Sequence, residues 1–141
     1  MNPFKKEYLQ KEIEYLLEND FIEPSNSSWS STCVLVPKPD KKFQMCIDYR
    51  KVNAVTKTDS YPMPRIDDYM DQIGHLNYFT TFDLLKGFWQ IPLTDRAKEC
   101  SAFVTPNGLY QYKVMPFGMK NSFLGMVGYL LKSLSNFFDN C

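Results

Sequence analysis

Apolar residues recur at Leu9, Ile13, Leu16 and Leu17, spacings of i, i+4, i+7 and i+8 that gather them on one stripe of a helix. Asn2 and Pro3 open that stretch, the asparagine as a cap and the proline at a first helical position where no N–H is needed. Asn19 and Asp20 close it. Glu23–Ser31 (EPSNSSWSS) reads as a loop from its Ser, Pro and Asn content. Beyond it the period shortens. Cys33–Pro37 (CVLVP) and Phe43–Asp48 (FQMCID) are short apolar runs joined by KPDKK, which predicts a two-stranded hairpin. Val52–Pro64 is irregular and broken by Pro62 and Pro64. Helical spacing returns at Ile66, Tyr69, Met70 and Ile73, with Asp67 and Asp68 in the first turn, where the helix dipole favours acids.

Strands are expected over Tyr78–Leu84 and Phe88–Leu93, either side of Lys86-Gly87, and again over Ser101–Thr105 and Leu109–Val114. Pro106-Asn107-Gly108 marks the last pair as a hairpin, because Asn-Gly suits a turn that needs positive φ. Ser122 is the expected cap of a final helix whose apolar face includes Phe123, Val127, Leu130, Leu134 and Phe137. Helices and antiparallel hairpins mix without a βαβ rhythm, so the class is α+β. The sequence shows no internal repeat and no low-complexity tract.

Size and composition bound this picture. The chain has 141 residues, enough for one real core and too few for two large ones. Its 44% hydrophobic and 16% aromatic content argues for folding rather than disorder. No apolar run approaches the roughly 20 residues that span a bilayer, and MNPFKKEYLQKEIEY lacks the apolar stretch of a secretory signal. The expectation is a soluble, intracellular protein, cytoplasmic or nuclear, without a membrane partner. Cys33, Cys46, Cys100 and Cys141 form no CxxC pair and do not cluster with His75, which argues against zinc and against a disulfide framework. Reduced thiols are expected.

Net charge is zero, but it is unevenly laid out. Lys38–Lys57 carries six bases against two acids, and Asp59–Asp83 carries five acids against one base. A basic segment followed by an acidic one suits a protein that holds phosphates beside a cation; it also describes an ordinary solvated surface.

Within FTTFDLLKGFWQIPL, at Phe79–Leu93, one carboxylate closes an apolar run. Phosphoryl transfer needs a divalent metal held by carboxylates, with phosphates and water completing its shell, and cations to offset the charge of the transferring group. Asp83 at a strand end would be a rigid mount for such a metal, or simply a turn-former. Phe88 can wall a nucleotide's sugar or serve as an ordinary core ring. Lys38, stiffened between Pro37 and Pro39, can reach a triphosphate or stay solvated. Pro116-Phe117-Gly118 reads as a bend bringing backbone close to a ligand, glycine permitting the approach, or as a plain strand-to-helix turn. Trp29 and Trp89 read as packing residues and His75 as a satisfied or surface histidine.

Three ordered blocks then carry a resemblance. WSSTCVLVPKPDKKFQMCIDYRKVN resembles the fingers segment of reverse transcriptases from gypsy-type LTR retrotransposons. SYPMPRIDDYMDQIGHLNYFTTFDLLKGFWQIPL resembles their first catalytic segment, and AFVTPNGLYQYKVMPFGMKN the next. The likeness runs from about Leu17 to Ser122, with Tyr61-Pro62 and Lys86-Gly87-Phe88-Trp89-Gln90 looking like vertebrate-type variants. It implies a partial right-hand polymerase: fingers over about 17–58, a palm segment over 59–93, fingers again over 94–122, and a divergent C-terminal helix over 123–141.

The implied activity is template-directed dNTP addition by an RNA-directed DNA polymerase, a nucleotidyltransferase, with Mg²⁺ as cofactor and an RNA/DNA template-primer and dNTP as partners. Asp83 matches the first metal-binding, catalytic aspartate, and the Leu84 carbonyl can join the metal shell. Phe88 matches the aromatic gate that prefers deoxynucleotides. Lys38 matches a fingers lysine on the triphosphate, Phe117 and Gly118 line the nucleotide pocket, and Arg50 lies near the template. Gln44 departs from the family, which usually has arginine there; an amide lacks that charge and five-donor fork.

A further departure follows Ser122. The family continues to a Tyr-x-Asp-Asp turn, whereas this chain reads FLGMVGYLLKSLSNFFDNC, with Asp139 as a single acid. Two-metal transfer holds cations about 3.5–4 Å apart between carboxylates from both palm strands, so the chain alone is expected to be inactive. A non-catalytic module binding nucleic acid or an intact polymerase chain, and a decayed element without function, are the alternatives. An uncovered sheet edge and apolar helix face would make the chain prone to aggregate.

Overall fold

The computed structural model describes residues 2–60, 62, 65–81 and 83–139, with side chains described up to 133 and at 136 in the last helix. Tyr61, Pro64, Phe82 and Cys141, and the side chains of Leu134, Phe137 and Asp139, which figured in the sequence reading, lie outside the described residues.

The first helix, α1, runs Pro3–Glu18 with the Asn2 side chain accepting from the Phe4 N–H at 3.0 Å. Leu9, Ile13 and Leu16 are buried as the spacing requires. Leu17 is not: it is 37% exposed, lying one residue off the stripe. The helix ends as a Schellman motif. Asp20 takes φ 60, the Asp20 N–H reaches the Leu17 carbonyl, and the Phe21 N–H reaches that of Leu16 at 2.9 Å.

This reversal feeds β1 (Ile22–Pro24), a short strand inside what composition reads as loop. β2 (Ser31–Pro37) and β3 (Phe43–Asp48) form the expected hairpin, Pro37 opposite Phe43 and Cys33 opposite Ile47. α2 (Arg50–Val55) then interrupts the start of the segment read as irregular. α3 (Ile66–Ile73) has the expected first-turn acids, but its apolar stripe has no cover: Ile66 is 79% and Met70 63% exposed.

Among the described residues, neither expected strand, Tyr78–Leu84 or Phe88–Leu93, forms. The described residues of the first lie outside the sheet and are exposed, Tyr78 by 93%. Among the described residues no strand runs beside them to take their ladder hydrogen bonds, and alternation alone cannot create a strand without one. Gly87–Gln90 is instead a 3₁₀ turn. Only Ile91–Leu93 engages neighbouring backbone: the Met115 N–H donates to the Ile91 carbonyl at 2.8 Å, the Leu93 N–H donates to that of Lys113 at 2.9 Å, and Pro92 bridges Val114.

α4 (Asp95–Cys100) is capped by Thr94. β4 (Phe103–Thr105) and β5 (Gly108–Tyr112) make the second hairpin. Asn107 does not take the positive φ expected of it. Pro106 and Asn107 span the turn, and Gly108 carries φ 152. α5 (Ser122–Asp139) follows, with Ser122 as its first residue rather than the cap before it; the Ser122 hydroxyl donates back to the Pro116 carbonyl at 3.0 Å.

The strands form one sheet in the order β1-β5-β4-β2-β3, antiparallel except where Ser31 and Thr32 of β2 run parallel to Phe103 and Val104 of β4. α1 covers one face, burying Leu9, Ile13 and Leu16 against Ile22, Phe103 and Tyr112. Cys33, Leu35, Met45 and Ile47 lean on that cluster from the hairpin. Each such buried side chain contributes roughly 1.5–3 kcal/mol. Cys33, Cys46 and Cys100 are free thiols, and among the described residues no helix is long and apolar enough to cross a membrane.

Candidate active site

Phe88 and Phe117 are brought together. The 3₁₀ turn directs the Phe88 ring edge to face against Phe117, with centroids 5.8 Å apart and planes at 78°. The turn closes tightly because Gly87 has no side chain; a Cβ there would sit 3.3 Å from both the Leu84 Cβ and the Met126 Sδ of α5. It is also pinned from the C-terminal end of α1 and the residues just after it. Lys86 adopts φ 52, and its ammonium hydrogen-bonds the Tyr15 hydroxyl while facing the rings of Tyr15, Trp89 and Phe21 at 4.7, 5.1 and 5.6 Å. Trp89 in turn packs on Phe21, centroids 4.6 Å apart. Trp89 is thus the packing residue that composition suggests.

Gly118, beside Phe117, takes φ 98, a conformation that favours glycine. The buried Tyr49 ring backs it, 3.7 Å from where a Cβ would be, and the Tyr49 hydroxyl donates to the Ser101 carbonyl at 2.9 Å. Asn53 clamps the same bend: its Nδ2 donates to the Gly118 carbonyl at 2.9 Å and its Oδ1 accepts from the Lys120 N–H at 2.8 Å. Asn121 adds a second strap, donating to the Lys57 carbonyl at 2.8 Å and accepting from the Asp59 N–H at 3.1 Å. Sequence reading did not single out Asn53 or Tyr49, although both lie in the block IDYRKVN.

Asp83 and Leu84 enter the turn that carries Phe88, and both are exposed. A lone carboxylate oxygen suits a hard cation. Yet among the described residues no three His, Cys, Asp or Glu side chains gather closely enough to hold a metal. The described side chains therefore do not make up a two-cation centre.

Lys38 and Gln44 stand apart. Lys38 opens the β2–β3 turn, its N–H donating to the Lys42 carbonyl at 2.8 Å. Gln44 lies opposite Val36 on the sheet face turned away from α1, exposed beside it. Among the described residues no hydrogen bond, ion pair or ring contact joins either to Asp83, Phe88 or Phe117. Arg50 follows β3 at the end of the hairpin away from that turn and forks onto Asp48, its Nε and Nη2 donating at 2.9 and 2.6 Å. That guanidinium holds the Asp48 carboxyl down at about 2. His75 is exposed, as a surface histidine should be.

The sequence profile for "Reverse transcriptase (RNA-dependent DNA polymerase)" matches residues 36–139, from β2 through α5. The chain belongs to the reverse transcriptase family. It is 39% identical over 130 residues to the retrovirus-related Pol polyprotein from transposon 412 of Drosophila melanogaster, covering 86% of this chain and 10% of that polyprotein. With the Pol polyprotein from transposon gypsy of the same fly it shares 34% over 124 residues, covering 82% and 12%.

Among solved reverse transcriptase structures, the prototype foamy virus protease-reverse transcriptase CSH mutant superposes with a TM-score of 0.81 at 29% identity, covering 96% of this chain and 18% of that one. The foamy viral enzyme in complex with an RNA/DNA hybrid gives 0.77 at 25%, with the same coverage. The fold is that of part of a reverse transcriptase, as the α+β reading expected. The chain spans about a tenth of the transposon polyproteins it matches.

Proposed function

We propose that this reverse transcriptase segment supplies the fingers, over about 17–58 and 94–122, and the first palm segment, over 59–93, of a gypsy-type LTR retrotransposon polymerase. Its reaction is RNA-directed DNA polymerisation. The observation that carries this reading is the Phe88–Phe117 pair, held beside the Gly118 bend in the turn that follows Asp83. Two aromatic faces next to approachable backbone suit a nucleotide's sugar and base, and Phe88 would exclude a 2′-hydroxyl by contact. Lys38 would reach the triphosphate, Gln44 would offer it hydrogen bonds without charge, and Arg50 would lie by the template.

Asp83, with the Leu84 carbonyl, would be one side of a Mg²⁺ site. The remaining acids would come from sequence outside these residues, which contain no Tyr-x-Asp-Asp turn. Nucleic acid as partner is favoured by the foamy viral relative in complex with an RNA/DNA hybrid and by the basic run of Lys38–Lys57. With no membrane-spanning helix among the described residues, a cytoplasmic or nuclear setting accords with this role.

The test has two arms. The purified chain with template-primer, dNTP and Mg²⁺ should show no extension; extension abolished by Asp83→Asn would overturn the incomplete-site reading. A chimera carrying these residues in place of the matching part of the transposon 412 polymerase should extend primers. There Asp83→Asn should abolish extension and Phe88→Ala should raise ribonucleotide use. A working chimera indifferent to both substitutions would refute the assigned roles.

A further inference from the structure

Beside the bend, and lined by none of the residues assigned above, lies a cavity of about 640 Å³ between α2, α4 and the start of α5. That volume falls within the roughly 300–1,000 Å³ typical of small-molecule sites. Its floor is apolar: Val52 and Met115 are buried, and Leu93 is half-buried. Three cations stand around it, Lys57, Arg96 and Lys120. Among the described residues, no aspartate or glutamate lines it. Lys120 spends one donor on the Thr56 carbonyl at 3.3 Å. Among the described residues, Lys57 and Arg96 have no ion-pair partner, while the other pairs of the chain sit elsewhere.

An apolar floor with a one-signed rim is unusual for a merely solvated dent. Like charges around one opening raise their mutual energy; water and salt screen part of it, and a bound anion offsets more. A free phosphate would satisfy the rim and leave the floor wet, whereas a neutral hydrocarbon would do the reverse. We infer that this cavity binds a small amphipathic anion, an apolar body carrying one phosphate, sulfonate or carboxylate group. The body lies on Val52, Leu93 and Met115, and the head group lies among Lys57, Arg96 and Lys120. Trp29, 39% exposed, borders the same space and can report on it. The wall Met119–Ser122 continues directly from Phe117-Gly118, so an occupant would bear on the bend as well.

Octyl phosphate, kept below its micelle concentration, is the probe, with calorimetry on the unmodified chain and Trp29 emission in the Trp89→Phe variant as readouts. Saturable one-to-one binding by both methods is expected, with octyl glucoside and inorganic phosphate each at least tenfold weaker. Replacing Lys57, Arg96 and Lys120 by Gln should weaken binding about threefold each and about 30-fold together, the range for exposed charge pairs. Ala97→Phe, which fills the cavity from α4, should abolish binding with the far-ultraviolet spectrum retained. Equal binding of octyl glucoside would show an apolar patch only. Displacement of octyl phosphate by micromolar oligothymidylate would make the surface a nucleic-acid contact. Either result, or affinity unchanged in both the triple variant and Ala97→Phe, overturns the proposal.

Discussion

Phe88 and Phe117 meet edge to face at 5.8 Å although they arrive from separate elements, the 3₁₀ turn and the bend before α5. A pair in this geometry is worth about 0.5–1.5 kcal/mol beyond its buried area. Phe117 is 72% exposed, which puts the expected coupling near the low end. A double-mutant cycle with Phe88→Leu and Phe117→Leu, followed by urea unfolding, should return a coupling of about 0.5 kcal/mol. Strict additivity would show that the rings do not hold each other.

The Gly118 bend depends on Asn53 in a way that can be dissected. Asn53→Ala frees both the Gly118 carbonyl and the Lys120 N–H, at a cost of about 1–2 kcal/mol. Asn53→Asp keeps an acceptor for Lys120 and sets a carboxylate oxygen against the Gly118 carbonyl in place of the donor. Amide exchange at Lys120 should therefore quicken in Asn53→Ala and stay slow in Asn53→Asp. Equal acceleration in both would place the control elsewhere.

α1 offers a contrast between neighbours. Leu16 is 1% exposed and Leu17 is 37% exposed. Leu16→Ala should destabilise by about 2–5 kcal/mol through lost burial and a cavity, while Leu17→Ala should stay within about 0.5 kcal/mol. Denaturant midpoints decide it, and similar losses at the two positions would mean that α1 packs on another face.

What the sequence made legible was local. The stripe of α1 and the alternation on each side of KPDKK carry their own periodicity, and both elements form where expected. The β2–β4 parallel contact joins Ser31 to Phe103 across about half the chain, and no short-range pattern announces it. Tyr78–Leu84 failed for a related reason: its alternation is real, but a strand exists only if another lies beside it. Among the site residues, the partners of Phe88 could be anticipated from a motif. The Asn53 clamp could not, because an asparagine bonding backbone atoms far along the chain looks like any other asparagine.

Alkaline titration should weaken the fold. Burial pushes the Cys33 thiol up to about 11 from 9.0, and burial likewise raises Tyr49 and Tyr112 above the usual phenol value. Each group is neutral in the folded state, and the unfolded chain sheds those protons at lower pH. Their contribution is intact below pH 9 and declines as pH rises through the folded values. Urea midpoints should be flat from pH 7 to 9 and fall steadily from 9 to 11, with Cys33→Val shallower over that window. A midpoint that rises above pH 9 would contradict the burial of these groups.

Lys86 is the residue on which two opposing terms can be separated. Its left-handed φ of 52 costs a side chain about 1–2 kcal/mol, and facing three rings returns about 1–2 kcal/mol. Lys86→Met keeps the backbone cost and removes the cation, so it should lose about 1 kcal/mol. Lys86→Gly removes both, and its stability should lie close to that of the parent and above Lys86→Met. Trp89 emission should shift in both variants, because the ammonium 5.1 Å from its ring is gone in each. If Lys86→Met proved as stable as the parent with unchanged emission, the ammonium would not sit among the rings, and the turn between Asp83 and Phe88 would be held without it, by Trp89 on Phe21, Phe88 on Phe117 and the Gln90 amide donating to the Leu85 carbonyl at 2.8 Å.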